Sequence, residues 1–321
     1  MRAFVAGGAG FIGSHTVDRL LSEPSVSAVT VYDNLSSGRL EHLPVNAGER
    51  LKIVRADLSS IDELCEAITG HDIVFHYASN PDIARAATEP EIDFWQGTYL
   101  TQNLLEAMRR TGVAHIVYAS GSGVYGDTGL TELNEDHAPL LPISTYGASK
   151  LAGEALICSY CAMFGFQGWV FRFANVVGAR QTHGVGFDFL SKLRVDPSQL
   201  PILGDGMQSK SYIHVTDVIN GIWLAYQKAT DSYNYFNLAT DDNITVAGIA
   251  AIVIEILGLK GVALKYAGGD RGWKGDVPLV RMDSTKIKAL GWRAQLTTSQ
   301  AIESSVRDMY AQAGGKTACR W

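Results

Sequence analysis

The segment Arg2–Ser14, RAFVAGGAGFIGS, constrains this chain more than any other stretch. The apolar run Ala3–Ala6 predicts a strand, and Phe11 onward predicts the start of a helix. Between them Gly7, Gly10 and Gly13 read G-x-x-G-x-x-G. That spacing suits a tight strand-to-helix turn, a bare backbone that a pyrophosphate can approach, and close packing of helix on strand. The helix start then offers unpaired N–H groups and the positive end of its dipole to phosphates.

Asp33 ends a second apolar run, VTVY, and stands twenty residues after Gly13. A carboxylate there can hold the adenosine ribose hydroxyls and would repel a 2′-phosphate, so NAD is expected rather than NADP. Asn34, Ser36 and Ser37 follow as polar partners. The plainer reading of Asp33 is an ordinary turn carboxylate.

Further along, LKIVRADL predicts a third strand ending in Asp57-Leu58. Asp57 could reach the adenine amino group, or could cap a helix that starts at Ile61 and runs to Gly70. Asp72–Ser79, DIVFHYAS, reads as a strand buried on both faces. A helix is expected over 91–112, with Leu100, Leu104, Leu105 and Met108 on one face. Then come strand Ala114–Ser122, helix Tyr146–Phe164 and strand Trp169–Val176. Alternation at this spacing predicts an α/β fold, a doubly wound parallel Rossmann sheet with its strand C-terminal ends along one edge.

Residues 176–211 read as loop-rich, before helix Val215–Ala229 and strand Tyr233–Ala239 return to the sheet. Two more helices, Val246–Leu257 and Thr298–Tyr310, flank a Gly-rich segment at 268–275, and the tail after Tyr310 is expected to fray. The expected division is an NAD-binding domain of 1–174 and 212–240, with a smaller α/β nucleotide-sugar-binding lobe of 175–211 and 241–321.

With 321 residues and 46% hydrophobic content the chain can bury a large core. A net charge of −6 without a Lys/Arg run argues against nucleic acid or an anionic membrane as partner, and no apolar segment is long enough to span a bilayer. The chain opens directly on its first strand, so no signal peptide is expected and the cytoplasm is the default. Cys158 and Cys161 form a lone C-x-x-C inside a helical pattern, read as structural, and Cys65 and Cys319 stand apart. Eight histidines are scattered without ligand spacing, so no metal is expected.

The chemistry is carried by Tyr146-Gly-Ala-Ser-Lys150, where Lys stands four residues after Tyr on one helical face. A free phenol, with a pKa of about 10, is no base near neutrality. A neighbouring ammonium and an oxidised nicotinamide would both favour the phenolate. The pair could then take a proton from a substrate hydroxyl while hydride leaves the same carbon.

Taken with GGAGFIGSH at 7–15, YDNLSSG at 32–38, HYASNPD at 76–82, VYG at 124–126, RFANVVG at 172–178, SYIHVTDV at 211–218 and GDRGWKGDVP at 269–278, the sequence resembles the extended short-chain dehydrogenase/reductase family. Within it the similarity is to the UDP-glucose (UDP-galactose) 4-epimerases, close to their archaeal-type branch. The resemblance implies that Tyr146 deprotonates a sugar 4-hydroxyl while C4 gives hydride to tightly held NAD. The 4-keto sugar then turns over and takes the hydride back. It implies NAD contacts from Gly7, Gly10, Phe11, Ile12, Gly13, Asp33, Asn34, Ser37, Asp57, Leu58, Tyr77, Ala78, Ser120, Tyr146, Lys150 and Phe173. It implies substrate contacts from Ser79, Ser122, Tyr146, Asn175, Lys210, Arg271 and Asp276, with a UDP-sugar as partner. Lys210 stands where Arg is usual and offers a point charge rather than a fork; a plain solvated lysine is the other reading. Family habit suggests a homodimer through the helices at 91–112 and 146–164.

Three departures stand out. The family usually has Ser or Thr four residues before the Tyr of VYG, and here that residue is Gly121. Ser120 and Ser122 flank it, and strand alternation would aim both at the opposite face, so Ser122 could serve only if the strand has already given way to a loop. Gly97 stands where Asn is expected, which removes a polar anchor and weakens a helix by about 1 kcal/mol. Val280 replaces a large aromatic, leaving room for an N-acetyl group on the sugar. Dehydratases of this fold need an Asp-Glu pair near VYG, and SGSGVYG has no carboxylate. UDP-glucuronate 4-epimerase and a non-catalytic NAD sensor remain as other readings.

Overall fold

The computed structural model describes residues 1–45, 47–273, 275–312 and 314. Most of the tail expected to fray, with Cys319, lies outside the described residues. In chain order the first elements are β1 (Arg2–Ala6), α1 (Phe11–Ser22), β2 (Ala28–Asp33), β3 (Leu51–Arg55), α2 (Ile61–Ile68) and β4 (Ile73–His76). Next come α3 (Leu100–Thr111), β5 (His115–Gly121), β6 (Glu132–Leu133), α4 (Thr145–Phe164), β7 (Gln167–Phe173) and β8 (Asn175–Val177). Then follow α5 (Val185–Val195), β9 (Gln199–Ile202), β10 (Ser209–Lys210), β11 (Tyr212–His214), α6 (Val215–Lys228) and β12 (Tyr233–Leu238). The last are β13 (Ile244–Thr245), α7 (Val246–Ile256), β14 (Ala263–Tyr266), β15 (Arg281–Met282), α8 (Thr285–Ala289) and α9 (Thr298–Gln312).

Packing divides the chain into two units. The first holds Met1–Val124, Ser144–Arg172 and Ile219–Phe236; the second holds Tyr125–Ile143, Phe173–Val218 and the chain from Asn237.

The first unit is built on a seven-stranded sheet of order β12-β7-β5-β4-β1-β2-β3. β3, β2, β1, β4 and β5 run parallel to their neighbours. The chain reverses its direction of sheet building between β1 and β4, the switch point where open α/β sheets take ligands at their strand C-termini. Phe4, Ala6, Val74 and Ile116 on the strands pack with Leu64, Leu104, Leu105 and Met108 on the helices, all fully buried. The apolar stripe foreseen on α3 is thus its core face. β3 is an edge strand, and Lys52, Ile53 and Arg55 are exposed.

Several boundaries differ from the sequence reading. β3 stops at Arg55 and β4 at His76, because the next residues turn: the amides of Tyr77 and Ala78 both donate to the Ala6 carbonyl. The helix expected over 91–112 opens as a π-helical turn, Phe94–Tyr99, before α3. The strand expected over 169–176 is two: β7 ends at Phe173, and β8 pairs in parallel with β11.

In the second unit α5, α7 and α9 share a core that includes Leu190, Leu193, Ile249, Val253, Ile302 and Val306. α5 corrects the reading of 176–211 as loop-rich: Gly184 is its N-cap and Gly186 lies in its first turn, and Phe189, Leu190 and Leu193 make an apolar face beyond them. Among the described residues no helix is long and apolar enough to cross a membrane. Cys158 and Cys161 lie well inside α4, exposed and buried respectively, and burial pushes the Cys161 thiol up to about 11.

Candidate active site

The loop between β1 and α1 carries the glycine fingerprint at the switch point. Gly7 has φ +76°, and a Cβ there would stand 2.7 Å from the Ala78 amide nitrogen. A Cβ on Gly13 would collide with the Gly7 carbonyl. The loops after β1 and β4 can therefore touch only because Gly7 has no side chain. α1 begins at Phe11 with Gly10 as N-cap, no side-chain cap bond and no acidic residue in its first turn. Its leading amides are left for an anion, so these residues fit the pyrophosphate of a dinucleotide.

Asp33 closes this loop from the β2 side. Its Oδ2 accepts from the Ala9 amide at 2.9 Å and its Oδ1 from the Leu35 amide at 2.8 Å. The Ala9 carbonyl in turn accepts from the Arg39 amide at 3.0 Å and meets the His42 Nδ1 at 3.1 Å. Asn34 donates to Asp57 at 2.7 Å. Burial pushes the Asp57 carboxyl up, but bonds from Asn34 and Ser59 outweigh it and hold the group below its ordinary value. Ser37 is exposed, whereas Leu58 is buried in the core. The Tyr77 phenol is turned inward and accepts from Thr16 at 2.8 Å.

Tyr146 and Lys150 lie in the first two turns of α4, whose N-cap Ser144 accepts from the Gly147 amide at 3.1 Å. The Lys150 Nζ donates to the Ala119 carbonyl at 2.8 Å and sits 5.5 Å from the Tyr146 ring centre and 5.2 Å from that of Tyr118. Burial pulls the ammonium down to about 8, against the pull of Asp93 and Glu154. Tyr146 is partly exposed. Burial raises its phenol, an interaction with the Ser79 hydroxyl lowers it, and Asp93 raises it further. The net shift is upward.

Asp93 carried no signal in the sequence. It is 1% exposed; its Oδ1 accepts from Asn80 at 2.8 Å, its Oδ2 from Thr145 at 2.7 Å and its carbonyl from Ser149 at 2.7 Å. It thereby ties the turn after β4 to the start of α4. Behind Lys150, Glu154 pairs with Arg172 at 2.8 Å and accepts from Ser120 at 2.5 Å, so the Ser120 hydroxyl is committed to the interior. Ser122 lies in a 3-10 turn, Ser122–Val124, directly after β5; the strand has given way there.

Residues 3–239 match the profile of the NAD dependent epimerase/dehydratase family. The chain belongs to that family. A UDP-glucose 4-epimerase of Mycolicibacterium smegmatis is 30% identical over 318 residues, covering 95% of this chain and 97% of its own. A crystal structure of a UDP-galactose 4-epimerase superposes with a TM-score of 0.86 at 37% identity, covering 97% and 99% of the two chains. A dTDP-glucose 4,6-dehydratase of Streptomyces venezuelae with NAD bound gives 0.89 at 28% identity, covering 98% of each. The family's cofactor is NAD, which the glycine loop, the uncapped α1 and Asp33 suit.

In the second unit Lys210 pairs with Asp276, the Arg271 guanidinium donates to Asp127 at 2.5 Å and to the Asp276 carbonyl at 2.6 Å, and the Gly272 amide donates to Asp276 at 3.0 Å. Three of the four residues expected to hold substrate there form one hydrogen-bonded group. Asn175 is apart from it in the bond pattern, donating to the Ser211 carbonyl at 3.2 Å, and Phe173 is buried.

Proposed function

We propose that this protein interconverts UDP-sugars at C4, with UDP-glucose and UDP-galactose as the pair, through a transient 4-keto sugar. The observation that carries this reading is the partly exposed Tyr146 beside a buried Lys150, at a strand end whose residues 121–123 hold no carboxylate. A 4,6-dehydratase needs acid and base there to remove water, and Gly121-Ser122-Gly123 has neither.

The Tyr146 oxygen takes the proton of the 4-hydroxyl and later returns it to the C4 oxygen, once the 4-keto sugar has turned its other face for reduction. When bound, NAD supplies a hydride acceptor and donor, and its positive charge favours the phenolate. Lys150 holds the nicotinamide ribose. Lys210 and Arg271 hold the diphosphate, Asn175 contacts it, and Asp276 holds the nucleotide ribose. Val280 leaves space beside the sugar, so an N-acetylated substrate is accepted. NAD stays bound through the cycle. The protein works as a cytoplasmic homodimer; Phe94, Trp95, Tyr99, Met163 and Phe164, exposed on the two helical segments named for that contact, support it.

The test is to incubate the purified protein with UDP-galactose without added NAD and to follow UDP-glucose. Release of a 4-keto-6-deoxy sugar, or no interconversion of any UDP-sugar, would defeat the reading. Comparing UDP-galactose with UDP-N-acetylgalactosamine tests Val280, and a strict preference for the smaller sugar counts against its role.

A further inference from the structure

β5 ends at Gly121 without a hydroxyl to offer Tyr146, and its Ser120 is committed to Glu154. The neighbouring strand supplies one. β4 pairs with β5 in parallel, Val74 with Ile116, Phe75 with Val117 and His76 with Tyr118. Past His76 the chain turns, and Asn80, one residue after Ser79, shares the Asp93 carboxylate with Thr145, one residue before Tyr146. The turn that carries Ser79 is fixed by buried Asn80, which donates to Asp93 at 2.8 Å and to the Asp82 carbonyl at 2.9 Å and accepts from the Asp82 amide at 2.9 Å. Ser79 is half-buried; its hydroxyl interacts with the Tyr146 phenol and makes a long bond, 3.4 Å, to the Asn80 carbonyl.

We propose that Ser79 is a catalytic residue whose hydroxyl replaces the one absent at Gly121, donating to the Tyr146 oxygen while that oxygen is negative. The groups that face this oxygen then act in opposite directions. Burial and the Asp93 carboxylate disfavour the phenolate; Ser79 favours it, and Lys150 stands over the ring. A hydrogen bond to the charged form lowers a pKa. Loss of the Ser79 hydroxyl therefore moves ionisation of Tyr146 to higher pH.

The part that concerns rate rests on the proposed epimerase function; the part that concerns the phenol does not. Ser79→Ala, Ser79→Thr and Ser79→Ala/Gly121→Ser are compared with the unaltered protein in two measurements. One is the pH dependence of kcat. The other is the near-ultraviolet titration of phenolate, with Tyr146→Phe subtracted to isolate that side chain. Ser79→Ala is expected to lower kcat by about tenfold to a hundredfold and to shift both the rising limb and the titration upward in pH. Ser79→Thr keeps both near their original positions, and Gly121→Ser restores much of what Ser79→Ala loses. An unmoved titration in Ser79→Ala, or a rate loss that Gly121→Ser does not relieve, overturns the assignment. If the unaltered protein turns over no UDP-sugar, the proposed function fails while the titration still decides the role of Ser79.

Discussion

The Oγ of Ser149 occupies the space that a side chain on Gly97 would need. Ser149 donates to the Asp93 carbonyl at 2.7 Å and accepts from Thr98 at 3.2 Å, so α4 and the Phe94–Tyr99 turn meet at a residue that must be small. What reads in the sequence as a lost polar anchor is a close approach. Gly97→Ala is expected to lower stability by about 1–3 kcal/mol by displacing that hydroxyl. Urea unfolding of Gly97→Ala, Ser149→Ala and the double variant checks it; additive losses would show that the two residues do not meet.

Tyr146→Phe keeps the ring but not the proton carrier. Sugar interconversion is expected to fall by at least about 10²–10⁴-fold, with bound NAD retained. Full-speed turnover by this variant would end the mechanism.

His76 is buried, its Nε2 meets the Thr101 hydroxyl at 3.0 Å, and burial with the Lys150 charge pulls it down to about 3. His71 is lowered as well, chiefly by burial. A histidine lowered on folding binds its proton more readily when unfolded, so stability falls as pH drops from about 6.5 toward the folded value. Thermal melts across that window should lose stability on acidification, and His76→Asn should flatten the slope. A slope unchanged by that substitution argues against His76 as its source.

Glu154 and Arg172 are 3% and 5% exposed, which makes their pair costly to break from one side. Glu154→Gln is expected to destabilise by about 3–5 kcal/mol, because Arg172 stays charged and buried. Ser120→Ala should lose less, about 1–3 kcal/mol. Denaturant midpoints compare the two, and a larger loss from Ser120→Ala contradicts the ranking.

The parts of the site visible in the sequence are those fixed by short-range spacing. Gly7 and Gly13 mark a turn that leaves no room for a side chain, and Tyr146 and Lys150 share a face because a helix repeats every 3.6 residues. Asp93 was invisible because its partners, Asn80, Thr145 and Ser149, meet it only after folding. Ser79 was expected as a substrate contact, but its place in a turn was not legible, because its apolar neighbours read as more strand and hydrophobicity does not show where pairing stops. α5 was masked by Gly178, Gly184 and Gly186, residues that punctuate a chain whether or not a helix lies beside them.

Asp33 has an allegiance besides the one its motif advertises. By gripping the Ala9 amide it fastens the very bend that a dinucleotide would rest on. Preference for one form of nicotinamide coenzyme and the tautness of its cradle are therefore a single inherited trait. A lineage drifting toward the phosphorylated coenzyme would have to invent a second tether for Ala9 before it could let the carboxylate go.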